Sequence, residues 1–489
     1  MIRMGPWRPD MPALENPGAL EALNVVPGPA GSYLPLQKFQ EQGNAMSARV
    51  QGALSCRAID GTINNFGGDA TKLYKWDGTS WSDVSRVVGG AYATPSDGQW
   101  DFAKFNDLVI GVNGVDAAQS FTMGSSSNFA ALGGSPPVAA FVTVVGSFVV
   151  MGRVSSARNR VQWSAFNAPS SSWASSQTTQ ADQQDLAVGG DVMRLVGGQY
   201  GLVFQEREVK RMSYVGPDPI FRLDTISNEL GTPASFSVAP WRNMAFFLSN
   251  DGFHVVVDGS QVVPIGDRKV NSYFWADVDP SYLYRITAAV DPINKLVFWS
   301  YAGTGNTSGT PNKLLCYSIT EEEFSRGEQA MEMLHVAATQ SGFTLDSLDS
   351  VSSSIDALLF SLDSRLWSGS GRILLSGFST AHKIGFFDGT NMAATVDTTE
   401  SALVRGRRAR LKSLRPIAEG GTPSVRLGYR DNLQTAVQFT GAVSVDATGK
   451  ADVQADSRYF RARLEFSEGD TWSNVQGIDD LDVIAGGRK

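Results

Sequence analysis

The sequence predicts an all-β chain: a β-propeller of about six to seven strand-rich units followed by a C-terminal β-sandwich. Three observations carry this reading. Short β-type runs return about every forty residues, several with aromatics and an Asp-Gly turn: Lys72-Leu73-Tyr74-Lys75-Trp76-Asp77-Gly78, then Trp100-Asp101-Phe102-Ala103-Lys104-Phe105-Asn106, then Phe246-Phe247-Leu248-Ser249-Asn250-Asp251-Gly252-Phe253. A unit of this size cannot bury both faces alone, and radial stacking of four-stranded sheets is a propeller. Seven strand-rich stretches, roughly 46–87, 97–125, 138–174, 190–225, 233–266, 282–326 and 335–390, are parted by turn-rich breaks such as Gly133-Gly134-Ser135-Pro136-Pro137. Finally, no stretch sustains a 3.6-residue period; the best helical candidate, Thr320 to Met333, is short enough for a loop helix.

Taken in order, residues 1–45 form an extended Pro-rich N-terminal segment, with Pro6, Pro9, Pro12, Pro17, Pro27, Pro29 and Pro35. Its apolar residues, among them Trp7, Leu14, Leu20 and Leu23, favour docking over a free tail, and its removal is expected to weaken assembly more than folding. The propeller is expected over 46–392. Within it, Ile286-Thr287-Ala288-Ala289-Val290 and Leu296-Val297-Phe298-Trp299 read as hairpin arms joined at Asp291-Pro292. Phe141 to Val145 and Ser147 to Met151, broken at Gly146, read as two buried central strands. Residues 393–489 change character: Phe460, Ala462, Leu464 and Phe466 alternate with Tyr459, Arg461, Arg463 and Glu465, and Val425, Leu427 and Tyr429 with Arg426 and Arg430. Short alternating strands over about 95 residues suggest a sandwich as a second domain.

The bulk numbers agree with such a fold. A chain of 489 residues exceeds one ordinary domain. Hydrophobic content of 42% supports a core, and 50 glycines suit many tight turns. Only 18% of residues are charged, so uncharged polar side chains must cover much of the surface, as where subunits pack together. Residues 400–489 hold 14 Lys+Arg against 12 Asp+Glu, leaving 27 against 37 in the first 399. That acidic body argues against sequence-specific DNA binding, though not against DNA that slides past. Cys56 and Cys316 lie far apart and read as small buried hydrophobes, without zinc spacing. The N-terminus carries no signal-peptide core and no run reaches membrane-span length, so the chain is expected to be made in a reducing cytosol.

Candidate chemistry is sparse. His254, His335 and His382 have no metal-ligand spacing, no Ser sits in a Gly-x-Ser-x-Gly elbow, and Gly189-Gly190 and Gly197-Gly198 make no phosphate loop. The enzymatic rival is a propeller glycosidase or sialidase, with paired carboxylates at its centre. Trp76-Asp77-Gly78-Thr79-Ser80-Trp81 approaches a sialidase Asp-box, but Asp and Gly are adjacent where the box wants a residue between them. A hairpin turn flanked by packing tryptophans explains it better. Asp101, Asp251, Asp291 and Asp363 lie near turns, where Asp supports the backbone. No catalytic, cofactor or metal role is assigned. The cluster Arg405, Arg407, Arg408, Arg410, Lys412 and Arg415 has three readings: a solvated strand face, an intersubunit or adaptor-facing interface patch, or direct phosphate contact, for which it lacks interleaved aromatics.

Several segments together resemble the tail nozzle proteins of short-tailed bacteriophages, also called tail tubular protein B or packaged-DNA stabilisation proteins. They are Pro9-Asp10 with Asn16-Pro17-Gly18-Ala19 and Asn24-Val25-Val26-Pro27; Ala70 to Tyr74 with Asp83-Val84-Ser85; and Gln99 to Phe102 with Phe105-Asn106-Asp107 and Ile110 to Gly114. The most specific is Asn159-Arg160-Val161-Gln162-Trp163-Ser164 with Ser172-Trp173, followed by Leu202 to Glu206 and Asn250 to Phe253. The resemblance covers roughly 9–270; the second half matches mainly in architecture, without the inserted domains of larger nozzle proteins. It implies a structural virion protein: a homo-hexamer below the portal and a head-to-tail adaptor ring, in the virion tail after assembly in the host cytoplasm. It implies partners in tail fibres or spikes, a tail tip or needle, and double-stranded DNA passing through the lumen without sequence readout. An acidic lumen repels phosphates and lets DNA pass. The alternatives are a sugar- or protein-binding virion propeller and, further off, a propeller glycosidase.

Overall fold

The computed structural model describes residues 1–14, 16–339, 354 and 372–486. Seven antiparallel four-stranded blades succeed one another among these residues. Their inner strands, Gly52–Arg57, Asp101–Phe105, Ala139–Val145, Val192–Val196, Ala239–Trp241, Thr287–Asp291 and Met333–Ala338, stand around one axis, with the last against the first. The fold is an all-β propeller with a C-terminal β-sandwich.

Local chemistry explains the blades. In blade 2, Asn106 takes φ +52 in the two-residue turn between Asp101–Phe105 and Leu108–Val112, the left-handed geometry that such hairpins need. At Gly111 in the second strand an added Cβ would stand 2.8 Å from the ring of Phe102, so any larger residue would have to displace that ring. At Asp77-Gly78 the carboxylate accepts the N–H groups of Thr79 and Ser80 at 2.8 and 2.7 Å, and Trp76 and Trp81 pack at 5.2 Å on either side. The turn is a packing device, as its sequence implies.

Three runs that look like copies of one motif occupy different places. Leu73–Trp76 is the third strand of blade 1, Asp101–Phe105 the first of blade 2 and Met244–Ser249 the second of blade 5. Apolar strands next to a turn look alike in sequence whatever their rank in a blade. A further correction falls on Thr320 to Met333, where the expected loop helix is instead the outer strand of blade 6, Glu323–Glu328. It pairs residue for residue with Lys313–Ser318, Phe324 opposite Tyr317 and Gly327 opposite Leu314, a ladder that takes up the main-chain groups a helix would use internally. Among the described residues the α-helix is Asn271–Asp277, between blades 5 and 6.

The N-terminal segment differs most from expectation. It is not a separate extended arm. Gln37–Glu41 is the outer strand of blade 7, paired with Ile384–Asn391. Glu21–Leu23 runs parallel to the outer strand of blade 6, Leu23 opposite Arg326, and antiparallel to Ala394–Asp397. One sheet of ten strands therefore passes from blade 6 through residues 21–23 into the sandwich. The second sandwich sheet is built from Val25–Gly28, Ser32–Pro35, Asn474–Ala485, Ala409–Glu419 and Ala455–Ser457, with Ile2–Arg3 at its side. Pro27 is tolerated because Val25–Gly28 lies at the sheet edge, where no N–H is missed. Upstream, Trp7 is buried against Tyr273 at 5.0 Å, and Asp10 accepts the N–H groups of Ser272 and Tyr273 at 2.9 and 2.8 Å. The segment docks because its apolar and capping groups find partners on the body.

These exchanges merge two cores into one. Phe253, Trp299 and Phe324 of blades 5 and 6 belong to the same buried cluster as Trp7, Tyr33, Val396, Leu411, Phe460 and Trp472. Arg326 grips Glu21 through two bonds of 2.7 and 2.9 Å at the seam. Asp397, buried in the sandwich, takes both forks of Arg463 at 2.7 and 2.9 Å. Burial pushes the Asp397 carboxyl up, and Arg463 and Arg461 pull against it.

Candidate functional surfaces

The propeller axis is where a catalytic cleft or a through-channel belongs, and side chains from separate blades meet across it. Asp101, on the inner strand of blade 2, accepts the Val142 N–H of blade 3 at 2.9 Å and lies 2.8 Å from the Arg194 guanidinium of blade 4. Arg194 in turn lies over the rings of Phe236, at 4.5 Å, and Phe141, at 5.9 Å. Burial raises the Asp101 carboxyl above its usual range, and Arg194 offsets part of the rise. At one mouth, Gln99 before blade 2 donates to the Tyr284 carbonyl before blade 6 at 3.0 Å. These blades are not neighbours, so a single hydrogen bond crosses the opening. A duplex cannot thread such an axis.

The other carboxylates named above do not converge on it. Asp291 accepts the Ile293 N–H at 2.9 Å and the Asn294 side chain at 2.7 Å. Asp251 is exposed at a turn, 3.7 Å from His254. Asp363 lies outside the described residues. The histidines are also occupied structurally. His254 Nδ1 meets the Gly252 carbonyl at 3.1 Å. His335 is half-buried beside the Phe378 ring, and desolvation pushes its imidazole down to about 4, so it is neutral at pH 7. His382 meets Glu332 at 2.7 Å, and Glu332 also accepts the Val50 N–H at 2.9 Å, holding the crossing from blade 7 to blade 1. Among the described residues no three His, Cys, Asp or Glu side chains gather as a metal site. Both cysteines are free thiols, pushed up by burial, Cys56 to about 11.

The segment most like the nozzle family is a packing element. Gln162 donates to the Trp173 carbonyl at 2.9 Å, Trp163 to Gln180 at 3.0 Å and Trp173 to Pro169 at 2.8 Å. Together with Asn159, bonded to Leu186 at 2.8 Å, they fold the long connection of residues 164–181 against blade 3.

The basic cluster divides once it is placed on the sandwich. Arg408 is committed to Asp431 at 2.7 Å and Asp456 at 2.9 Å. Arg415 lies 3.6 Å from Asp480, which Lys450 also reaches at 2.8 Å. Arg410 donates to Gln454 at 3.0 Å. The strand face is thus largely a mixed-charge lattice, a poor platform for phosphate. Arg405 and Arg407 differ: they sit on an exposed turn before Ala409–Glu419, and with Lys412 they have no carboxylate partner among the described residues. Nothing lies within 4 Å of where a Cβ on Gly406 would stand, so the turn projects into solvent.

Two surfaces escaped sequence reading. A groove of about 780 Å³ opens between blades 6 and 7 and the strands of residues 25–37. Leu36, Leu296, Phe298 and Phe387 form its floor; Asp291, Glu321 and Asp388 line it, with no lysine or arginine among the described residues. No local motif announces it, because its walls come from three distant segments. The second is the tip Val87-Val88, 82% and 86% exposed on a braced loop. Arg86 beneath it donates to Gly90, Ala91 and Asp116 at 3.0, 3.0 and 2.9 Å, over the Tyr92 ring. Two valines before Gly89-Gly90 in a long connection were the signal available.

No protein-family model matches this chain, and no curated protein sequence matches it. Among solved structures, the chain is similar to one described as YCF48 bound to D1 peptide, at TM-score 0.37 and 11% identity, over 60% of this chain and 86% of that one. It is also similar to BamB from Moraxella catarrhalis, at TM-score 0.37 and 10% identity, over 74% and 92%. A third is a mitotic checkpoint complex chain, at TM-score 0.38 and 10% identity, over 73% and 96%.

Proposed function

We propose that this chain is a structural virion protein, a wall subunit of a short-tailed phage nozzle that acts by assembly and not by chemistry. One observation carries the reading: the ten-stranded sheet that fuses propeller and sandwich into a single body. Such a body transmits load and presents large outer surfaces, which a conduit wall needs and a small-molecule enzyme does not. The side-chain bridges across the axis support it, because any DNA path must then run between subunits. The acidic bias of the first 399 residues supports a lumen that repels phosphate. In this reading the subunits close as a hexamer beneath an adaptor ring, retain packaged DNA and carry fibres or spikes and a tail tip. Closure of a heterologous interface into a ring stops it from growing into a filament.

Size-exclusion chromatography with light scattering, followed by negative-stain imaging, tests it. Rings, formed alone or on addition of the adaptor from the same virion, are the expected result. A chain that stays monomeric in both conditions contradicts it. The groove favours a second reading, a virion propeller that holds a protein segment, and that reading expects a monomer.

A further inference from the structure

The unpaired basic turn and the acid-lined groove are complementary surfaces that one chain cannot bring together. The turn precedes Ala409, at one end of the eleven-residue strand Ala409–Glu419. The groove borders the other end: Glu419 pairs with Asn474, the adjoining Val475 pairs with Tyr33, and Leu34 to Gln37 line the groove. An antiparallel strand of that length spans roughly 35 Å. The two features therefore lie at opposite ends of the sandwich.

Each also has the mark of an unfinished contact. Arg405 and Arg407 have no side-chain partner among the described residues, although Arg408 and Arg415 beside them are paired. Across the chain, the groove's Glu321 takes no hydrogen bond or ion pair on its carboxylate among the described residues. Ile293 stands 39% exposed at the groove, an apolar rim beside the charge. We infer that the Arg405-Gly406-Arg407 turn of one subunit seats in the groove of the next, with Glu321 receiving the guanidinium charge. This contact rests on the nozzle reading and names its subunit interface. It is heterologous, one surface meeting a different one, the type that generates rings. Charge complementarity fixes the register, while the apolar floor takes the aliphatic stems of the arginines.

The experiment is a charge swap. Arg405→Glu combined with Arg407→Glu, and separately Glu321→Lys, alter exposed or rim side chains. Circular dichroism is expected to leave both variants indistinguishable from the parent. Each alone is expected to weaken self-association about tenfold or more. Mixing the two is expected to restore association between unlike subunits. Independently, Arg405→Cys and Glu321→Cys in one chain, in a Cys56→Ser background, are expected to yield disulfide-linked oligomers on oxidation, absent from either single variant. Rings that persist in both charge variants, or rings without the cross-link, overturn this contact and leave the nozzle reading standing. A Glu321→Lys chain that forms normal rings assigns the groove to another partner and equally overturns it. Chains that never associate, with or without adaptor, overturn both.

Discussion

Asp101 shows how far a single carboxylate can organise this propeller. It bonds Val142 and faces Arg194, so one side chain ties three successive blades at the axis. Removing one member of a buried pair strands the other charge, at a cost of about 3–5 kcal/mol. Asp101→Ala is expected near the lower end, because Arg194 keeps some water contact. Asp101→Asn, which retains the Val142 bond, should cost less. Urea unfolding of both variants measures this, and a loss below about 1 kcal/mol in the alanine variant contradicts the tie. Asp116 answers to pH in the opposite sense from Asp101. Burial alone would raise it, but bonds from Asn113, the Ala93 N–H and Arg86 outweigh burial and hold its carboxyl below the usual value. A depressed carboxylate supplies stability that is present above its unfolded pKa, about 3.9, and is lost as pH falls through the folded value. Acidification below pH ~4 is therefore expected to release the loop of residues 84–100 before the blades open. Hydrogen exchange on that loop against pH is the check, and an unchanged loop in Asp116→Asn excludes this anchor.

At the scale of elements, strand exchange decides what can be removed. Residues 1–45 were expected to matter more for assembly than for folding. Their strands complete blade 7 and enter both sheets of the sandwich, so deleting them is now expected to abolish cooperative folding. Co-expressing residues 1–45 as a separate piece should recover soluble protein. A soluble, cooperatively melting truncation contradicts the exchange. At the seam, Arg326→Met removes a bidentate charged grip on Glu21 and should cost about 1.5–3 kcal/mol. Limited proteolysis should then cut between residues 18 and 25 first, and an uncut variant argues that packing alone holds the seam. Why this was hidden from sequence is physical. Tyr459–Phe466 announces itself because each alternate residue faces one sheet, a local pattern. Gln37–Glu41 carries no such mark, because its partner strand lies at the far end of the propeller and its pairing is main-chain hydrogen bonding. The turns of blades 1 and 2 were legible because Asp77-Gly78 and Asn106 are local necessities. The groove was not, since separate segments build it. The basic turn was half legible: sequence shows six cations, and only contacts show which ones carboxylates already hold.

For the whole molecule, the sheet that continues from blade 6 into the sandwich joins the two in one body, and the proposed function makes that body a wall and not a pipe because side chains bridge its axis. In the proposed function, its low charge density and acidic body would suit repeated contact with copies of itself around a path that DNA must leave freely. Cryo-electron microscopy of the assembled particle, alone and with duplex DNA, tests that claim most directly. The account predicts a pore lined by several subunits, DNA density confined to it, and every propeller axis closed at the Asp101–Arg194 and Gln99–Tyr284 contacts. Density for a duplex along a propeller axis, or particles without any pore between subunits, contradicts it.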